Sequence, residues 1–557
     1  MAGPAQEAGQ GDPRRWWVLA VVVVGTFMIL LDTTIVNVAI PSIQVGLHAG
    51  YGAIEWVVSG YALAFGLVLI PAGRVGDRFG HRRLFLVSLA GFTVTSLLCG
   101  TSTSPGELVI WRVVQGAMAG ILNPQILAAV QVAFAPRERG KAFAFYGATA
   151  GVATALGPLL GGLLVAGNLY GLDWRPIFLL NVPIGVAALV VALRLLPESR
   201  GRGGSLDLSG IVLVAVALLL VTYPLVEGRS AGWPPWALAA LAATLPALAL
   251  FALSQRRRIR RGRSPLVDIR LFQHRAFAAG TGLALTYFAG FTSVFFSLSL
   301  WLQTGLGRSA LSAGLTILPF ALGSLVGSSS SDVVARRLGP RVLQVGTAMV
   351  AIGLAGALAA IHLEGVSTSA WLLLPPLAFA GIGSGLTIAP NTNLVLARVP
   401  VGNAGAAGGV LSTAQRVGTA LGIAVVGVLL FGALGRGAGP AAASAAPVLR
   451  SDLARAGVPA VARREELARF TSCFDRRAAS ADPLGAIPGC PGPGSGGRSP
   501  LSSSFAQASH LALAQDFTRA VQVSMGFNIA AVVLAFLMVL GFPSRNAQPP
   551  GTPGSEG

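Results

Sequence analysis

Trp16 to Ile40 reads WWVLAVVVVGTFMILLDTTIVNVAI, and its one charged residue is Asp32. As a helix this run would span about 37 Å, against about 30 Å for the hydrocarbon core of a bilayer. It is too long for a signal-peptide core, and no small-residue cleavage site follows, so it reads as a retained membrane helix. Similar apolar runs continue outward from it: Ala53–Ala72, Leu84–Cys99, Leu108–Phe134, Ala142–Ala166, Ile177–Leu196, Leu208–Val226 and Trp236–Leu253. After a basic stretch come Ala276–Thr304, Leu311–Ser330, Val342–Ile361, Ala370–Ala397, Val410–Leu434 and Phe517–Phe542. The pattern predicts an all-α integral membrane protein of about fourteen transmembrane helices. An even number puts both termini on one side.

Composition agrees. Only 11% of the 557 residues are charged, where soluble chains carry about 25%. A net charge of +19 would suggest a nucleic-acid partner in a soluble protein. Here the arginines fall in short gaps between apolar runs, as orientation signals do, and nucleic acid is set aside. Alternate gaps hold Arg74, Arg78, Arg82 and Arg83, then Arg137, Arg139 and Lys141, then Arg200 and Arg202. The same side continues with the Arg256–Arg275 cluster, with Arg336, Arg337 and Arg341, and with Arg398. The opposite short loops hold little beyond Arg175, Arg229 and Arg308. The bias predicts cytoplasmic termini in a multi-pass cell-membrane protein. Three cysteines and five scattered histidines fit neither a disulfide scaffold nor a metal centre.

Two of the cytoplasmic turns echo each other. Gly73-Arg-Val-Gly-Asp77-Arg78-Phe-Gly80-His-Arg82-Arg83 follows the second span, and Asp332-Val-Val-Ala-Arg336-Arg337-Leu-Gly339-Pro-Arg341 follows the tenth. Both contain Arg-x-Gly-x-Arg. A weaker echo links Gly116 through Asn123-Pro124-Gln125 with Gly381 through Pro390-Asn391. Spans one to six then match nine to fourteen as two pseudo-twofold six-helix bundles, with spans seven and eight as an inserted hairpin. The expected division is a tail over 1–15, a first bundle over 16–200, inserted helices over 206–254 and a basic cytoplasmic loop over 255–275. A second bundle follows over 276–542, with an extracytoplasmic loop at 435–516, and a cytoplasmic tail over 543–557. In the outer loop, Val448–Phe470 is expected as an amphipathic helix and Ala481–Pro500 as disordered, with pairing of Cys473 and Cys490 left open. The segment Gln255–Arg263 is expected to rest on anionic headgroups, or alternatively to dock a partner.

This layout resembles the major facilitator superfamily, specifically its fourteen-span drug:proton antiporter family. The match is carried by Leu31-Asp32-Thr33-Thr34-Ile35-Val36-Asn37-Val38-Ala39-Ile40-Pro41, by the Gly73–Arg83 turn, and by Trp111-Arg112-Val-Val-Gln115-Gly116. It extends to Gly151-Val-Ala-Thr-Ala155-Leu-Gly157-Pro158-Leu-Leu-Gly161-Gly162, similar to the fifth-helix motif of antiporters. The resemblance implies export of small organic molecules, such as drugs, antibiotics or biocides, in exchange for protons. It implies no cofactor, and a monomer working in the lipid bilayer. Uptake or exchange coupled to another ion is the alternative within the same fold; a membrane sensor or enzyme lacks any supporting cluster. No nucleotide-binding Gly-x-x-x-x-Gly-Lys-Ser/Thr pattern is present, which sets direct ATP drive aside.

Individual residues can be assigned expectations. Asp32 lies inside the first span and no other acid reads as equally deep; an ionised carboxylate there is costly, which favours proton uptake and release. A structural, hydrogen-bonded Asp32 is the alternative. Arg112 is expected to assist proton coupling, with Gln115 and Gly116 on its face of the helix, or else to snorkel outward. Arg416 sits nearer the cytoplasmic end, where snorkelling is the simpler reading. Gly151, Gly157, Gly161 and Gly162 with Pro158 form a seam of small residues suited to close packing or to rocking. Gly73, Asp77, Arg78, Gly80 and Arg82 read as a cytoplasmic latch, with Asp77 expected to meet a helix N-terminus or an arginine, or only to cap its turn. Asn37, Tyr61, Phe65, Asn123, Gln125, Phe291, Phe295, Gln303, Asn391 and Arg416 are the candidate lining of a central substrate cavity.

Overall fold

The computed structural model describes residues 14–134, 136–198, 207–228, 231–263, 265–396, 404–479, 490 and 500–540. Its elements are α1 (Arg14–Leu47), α2 (Tyr51–Phe79), α3 (His81–Thr101), α4 (Pro105–Ala133), α5 (Pro136–Gly167), α6 (Pro176–Leu179) and α7 (Asn181–Leu195). These are followed by α8 (Leu208–Glu227) and α9 (Pro235–Arg260), then α10 (Arg275–Leu300), α11 (Ala310–Leu338), α12 (Arg341–Glu364) and α13 (Ala370–Leu396). Last come α14 (Ala404–Arg455), α15 (Ala460–Ala479) and α16 (Pro500–Leu540). Thirteen helical stretches among the described residues are long and apolar enough to cross a bilayer, and Gly151–Gly167 within α5 adds a shorter apolar one. The molecule is thus an all-α, multi-pass membrane bundle.

Helix pairing follows where the small residues fall. α4 lies along α2 because Gly116 and Gly120 present bare backbone to it; a Cβ on Gly116 would stand 2.8 Å from Tyr61 Cα. α13 lies along α11 in the same way, and a Cβ on Gly381 would stand 3.0 Å from Phe320 Cα. α1 packs on α5 and α7, as α10 does on α14 and α16. α5 also contacts α11, and α2 contacts α14. α8 and α9 pack on each other, and α8 leans on α2 and α14. The membrane stretch of α9 is only 6% buried, with Leu238, Leu245, Leu250 and Leu253 facing outward. Such a surface suits lipid rather than water.

One expectation gives way. The chain from Gly435 onward does not leave the helix: α14 runs on to Arg455, and α16 begins at Pro500. The cause is alanine, the best helix former, which outweighs the interspersed glycines and prolines. Ala438, Ala441, Ala442, Ala445, Leu449 and Leu453 are buried at helical spacing, and Phe505, Ala508 and Ala512 of α16 share their core. The single amphipathic helix expected over Val448–Phe470 is split by a turn in which Gly457 takes φ +72°, so that its second part belongs to α15. Cys473 and Cys490 form a disulfide. Most of the stretch Ala481–Pro500 lies outside the described residues, as do both expected tails apart from 14–15.

Candidate functional site

Asp32 sits mid-way along α1 and is fully buried. Its Oδ2 accepts a hydrogen bond from Arg112 Nη1 at 2.6 Å. Its Oδ1 accepts from Gln115 Nε2 at 3.2 Å and from Asn181 Nδ2 at 3.4 Å. Ser96 Oγ on α3 accepts from the same two amides, both at 3.1 Å, and donates to the Phe178 carbonyl at 3.0 Å. Helices α1, α3, α4 and α7 therefore meet at one carboxylate.

Arg112 is held from every side. Nη1 also donates to Gln115 Oε1 at 2.7 Å, and Nε donates to the Val57 carbonyl of α2 at 3.0 Å. Its guanidinium lies 4.2 Å from the Tyr61 ring centroid, a cation–π geometry that strengthens when desolvated. Gly116 makes this stack reachable, since it lets the α2 backbone at Tyr61 approach α4. Arg112 is 1% exposed, so the snorkelling alternative does not hold. A buried pair of this kind contributes little net stability, because desolvation offsets attraction, yet losing one partner costs about 3–5 kcal/mol. Such a pair suits switching better than it suits stability.

The other candidates divide. Phe65 lies beside Tyr61, with 6.2 Å between ring centroids, and Arg416 sets its guanidinium 4.2 Å from the Phe65 ring centroid. Arg416 is thus turned inward across the α2–α14 contact, correcting the snorkelling expectation. Two arginines from different parts of the chain stack on neighbouring rings of one α2 face. Half-buried Phe288, Phe291 and Phe295 join buried Tyr287 and Phe320 in an aromatic cluster, with Phe291–Phe295 centroids 5.3 Å apart. Asn123 is half-buried on α4.

Four further candidates make hydrogen bonds that join helices or turns. Gln125 Oε1 lies 2.7 Å from His81 Nδ1, and Gln125 Nε2 donates to the Ala72 carbonyl. Its place is the turn between α2 and α3. Asn391 donates to the Gly280 carbonyl, joining α13 to α10. Asn37 bonds back to Thr33 O, and its own carbonyl accepts from Ser299. Gln303 donates to the Val38 carbonyl at 2.8 Å. The last two contacts stitch the second half of α1 to the last turn of α10 and the short helical segment Trp301–Gly305 that follows it. Polar residues in apolar helices bond to whatever backbone is nearest, and the linear sequence does not give that rotation.

At the Gly73–Arg83 turn, Asp77 Oδ1 meets His81 Nε2 at 3.2 Å rather than an arginine or a free helix N-terminus. Arg78 is exposed above Phe79, and Arg82 donates to the Leu193 carbonyl at the end of α7. Gly80 takes φ +105°, a region closed to side-chain-bearing residues without strain. No atom lies within 4 Å of where a Cβ on Gly73 would be. In α5, Gly157 and Gly161 face Thr34 and Ile35 of α1, while Gly151 and Gly162 face Leu325 and Leu311 of α11. Pro158 backbone meets Gly314 of α11. The seam of small residues thus has two working faces.

Sequence reasoning passed over Ser96 and Asn181, which complete the Asp32 network, and Glu55, which is 3% exposed. Glu55 packs against Gly427 of α14. The signal was available: it is an acid within the apolar run Ala53–Ala72.

A polytopic bundle built around a buried ion pair is compatible with a membrane carrier. The chain belongs to the Major Facilitator Superfamily, whose family model matches residues 22–423. It is 34% identical to a probable actinorhodin transporter of Streptomyces coelicolor, over 99% of this chain and 96% of that one. It is 38% identical to a puromycin resistance protein of Streptomyces alboniger, over 78% and 85% of the two chains. Its fold is similar to that of a bacterial homologue of the human lysosomal transporter Spinster, solved in an inward-facing, unoccupied form. There the TM-score is 0.57 at 16% identity, covering 96% of this chain and 98% of that one. The chain is accordingly a secondary active transporter that exports small organic molecules, a carrier and not an enzyme.

Proposed function

We propose that this exporter is driven by protons, and that Asp32 carries them. The observation that bears the reading is a carboxylate with no solvent exposure, held in the membrane by one arginine and two amides. Protonation removes its charge and with it the main attraction for Arg112. The guanidinium, still stacked on Tyr61, then exchanges a carboxylate partner for a neutral one. Because Arg112 also holds the Val57 carbonyl, that exchange reaches the α2 backbone. One charge crossing the membrane supplies about 2.3 kcal/mol per 100 mV.

The moving parts in this reading are two six-helix bundles, α1–α7 and α10–α14 with α16, and an inserted α8–α9 hairpin. Support comes from matched pairings: α2 with α4 and α11 with α13, α1 with α5 and α10 with α14, α3 with α7 and α12 with α16. The contacts between bundles match as well, α2 with α14 and α11 with α5. With cytoplasmic termini, the links from Ser299 to Asn37 and from Gln303 to Val38 close the outer end. The glycine faces of α5 would then be the surface along which the bundles rock. Tyr61, Phe65, Phe291, Phe295, Asn123 and Arg416 are the proposed solute contacts, and the relatives' names point to antibiotics as solutes. The protein would act as a monomer in the cell membrane.

Asp32→Asn tests the reading, since the amide matches the carboxylate in shape but takes up no proton. In proteoliposomes carrying the purified chain, an imposed pH gradient is expected to drive efflux of a fluorescent drug by wild type alone. The variant leaves Arg112 buried without its counter-charge and should unfold at a lower temperature than wild type. The folded protein should still exchange drug down its own gradient. Undiminished proton-driven efflux by Asp32→Asn would rule the assignment out.

A further inference from the structure

We propose that the cavity between α8 and α9, beside the Asp207 cap, is a binding site for the phosphate headgroup of an anionic phospholipid. The cavity measures about 380 Å³. Its α9 wall is formed by Leu250, Leu253, Ser254, Arg257 and Arg258, which follow the i, i+3, i+4, i+7 spacing of a single helix face, and Arg261 continues that face just past the helix end. Arg263 closes it from beyond the helix, and Ser209 and Leu213 of α8 stand opposite.

The wall is rigid because Asp207 is fully committed. Its side chain is fully buried, caps Gly210 N at 2.8 Å, and accepts from Gln255 Nε2 at 2.8 Å and from Leu266 N at 3.1 Å. Arg258 Nε approaches it at 3.4 Å. That one acid is matched by one arginine. Among the described residues, no carboxylate lies within ion-pair distance of Arg257, Arg261 or Arg263, so three cations converge on the cavity without a protein anion.

The chemistry of the lining selects the ligand. Arginines bind phosphate oxygens through a planar fork of donors. A free phosphate would need only those arginines. Leu213, Leu250 and Leu253 continue the cavity along α9, whose surface is turned almost wholly outward, and they match the start of an acyl chain. Phosphate above and hydrocarbon below together describe a lipid. Basic pockets between helices at the cytoplasmic surface recognise anionic headgroups in this way.

The test uses the purified full-length chain, delipidated in mild detergent and titrated with phosphatidylglycerol, phosphatidylcholine of the same acyl chains, or inorganic phosphate. Bound lipid is counted by native mass spectrometry. Phosphatidylglycerol is expected to bind about tenfold more tightly than phosphatidylcholine. Arg257→Gln/Arg261→Gln should remove most of that preference, while Arg256→Gln/Arg260→Gln, equal in charge but outside the cavity, should keep it. The single Arg261→Gln change, expected to lower the preference about threefold, covers the case in which the double variant misfolds. Equal loss in both double variants would mean diffuse attraction, and displacement of the lipid by millimolar phosphate would mean a free-anion site. Either result overturns the proposal.

Discussion

In the proposed two-bundle reading, the Asp32–Arg112 network of the first bundle and the matching positions of the second share similar helix packing but differ in chemistry. Gly116 and Gly120 of α4 face Tyr61 and Phe65 of α2, and Gly381 and Gly385 of α13 face Phe320 and Ser324 of α11. In that register the position of Arg112, four residues before the first glycine, is occupied in α13 by buried Leu377. The α1–α7 contact joins Asp32 to Asn181, whereas the α10–α16 contact joins two neutral residues, with Ser293 donating to Asn528 at 2.8 Å. The turns after α2 and α11 differ as well. Asp77 and His81 of the first turn align on Arg336 and Pro340 of the second. The packing framework is shared by both halves; the buried Asp32–Arg112 pair has no counterpart at the matching positions, where Leu377 stands for Arg112. That separates what the fold requires from what the proposed proton coupling requires.

The strongest way to break the comparison is to remove Arg112. Arg112→Leu imitates the second bundle at one position and leaves Asp32 buried without its cation, which costs about 4 kcal/mol. Asp32→Asn/Arg112→Leu should recover much of that loss, because no charge remains to be satisfied. Unfolding temperatures of the two variants in detergent measure the difference. If the double variant is no more stable than the single, the pair is not coupled as its geometry implies.

The converse experiment places the charge in the other bundle. Leu377→Arg puts a guanidinium at the matching depth with no acid at hand, and about 3 kcal/mol of destabilisation is expected. Proton-driven efflux of the protein that remains folded should be kept, since the Asp32 site is untouched. Thermal unfolding and vesicle efflux read the two effects separately.

Glycine substitutions should not distinguish the bundles at all. A methyl group at Gly116 or at Gly381 meets backbone of the neighbouring helix within about 3 Å, and backbone cannot rotate away as a side chain can. Gly116→Ala and Gly381→Ala are each expected to cost about 2 kcal/mol. Widely unequal losses, measured by denaturation in the same detergent, would show that the shared framework is only apparent.

How far these features could be read in advance depends on what fixes each of them. Span number and the depth of Asp32 follow from hydrophobic length, a local property of the chain. Gln115 was reachable from Arg112 because i and i+3 share a helix face. Asn181 and Ser96 were not, because a polar residue in an apolar helix shows its rotation only when its neighbour is known. Arg416 misled for the same reason: Phe65, which receives it, lies on a helix some 350 residues away. The stretch after Gly435 misled on composition, since Gly and Pro were weighed as loop formers although Ala438, Ala441, Ala442 and Ala445 carry a buried face. Local signals survived; partner-dependent ones did not.

The smallest expected effect concerns the turns. Gly80 at φ +105° and Gly339 at φ +57° both reverse the chain where a Cβ is strained, so Gly80→Ala and Gly339→Ala should each cost about 1–2 kcal/mol. Gly73 differs: it lies within α2, and a Cβ there meets nothing within 4 Å. Gly73→Ala should therefore stabilise the protein by about 0.5 kcal/mol, through helix propensity alone. Efflux gives this small change its use. If the variant is stabilised and transports normally, the space beside Gly73 is idle throughout the cycle. If it is stabilised and slow, that space is filled in the alternate conformer, where the first bundle's turn must approach another helix closely. The corresponding second-bundle residue, Asp332, already carries a side chain and could not make the same approach.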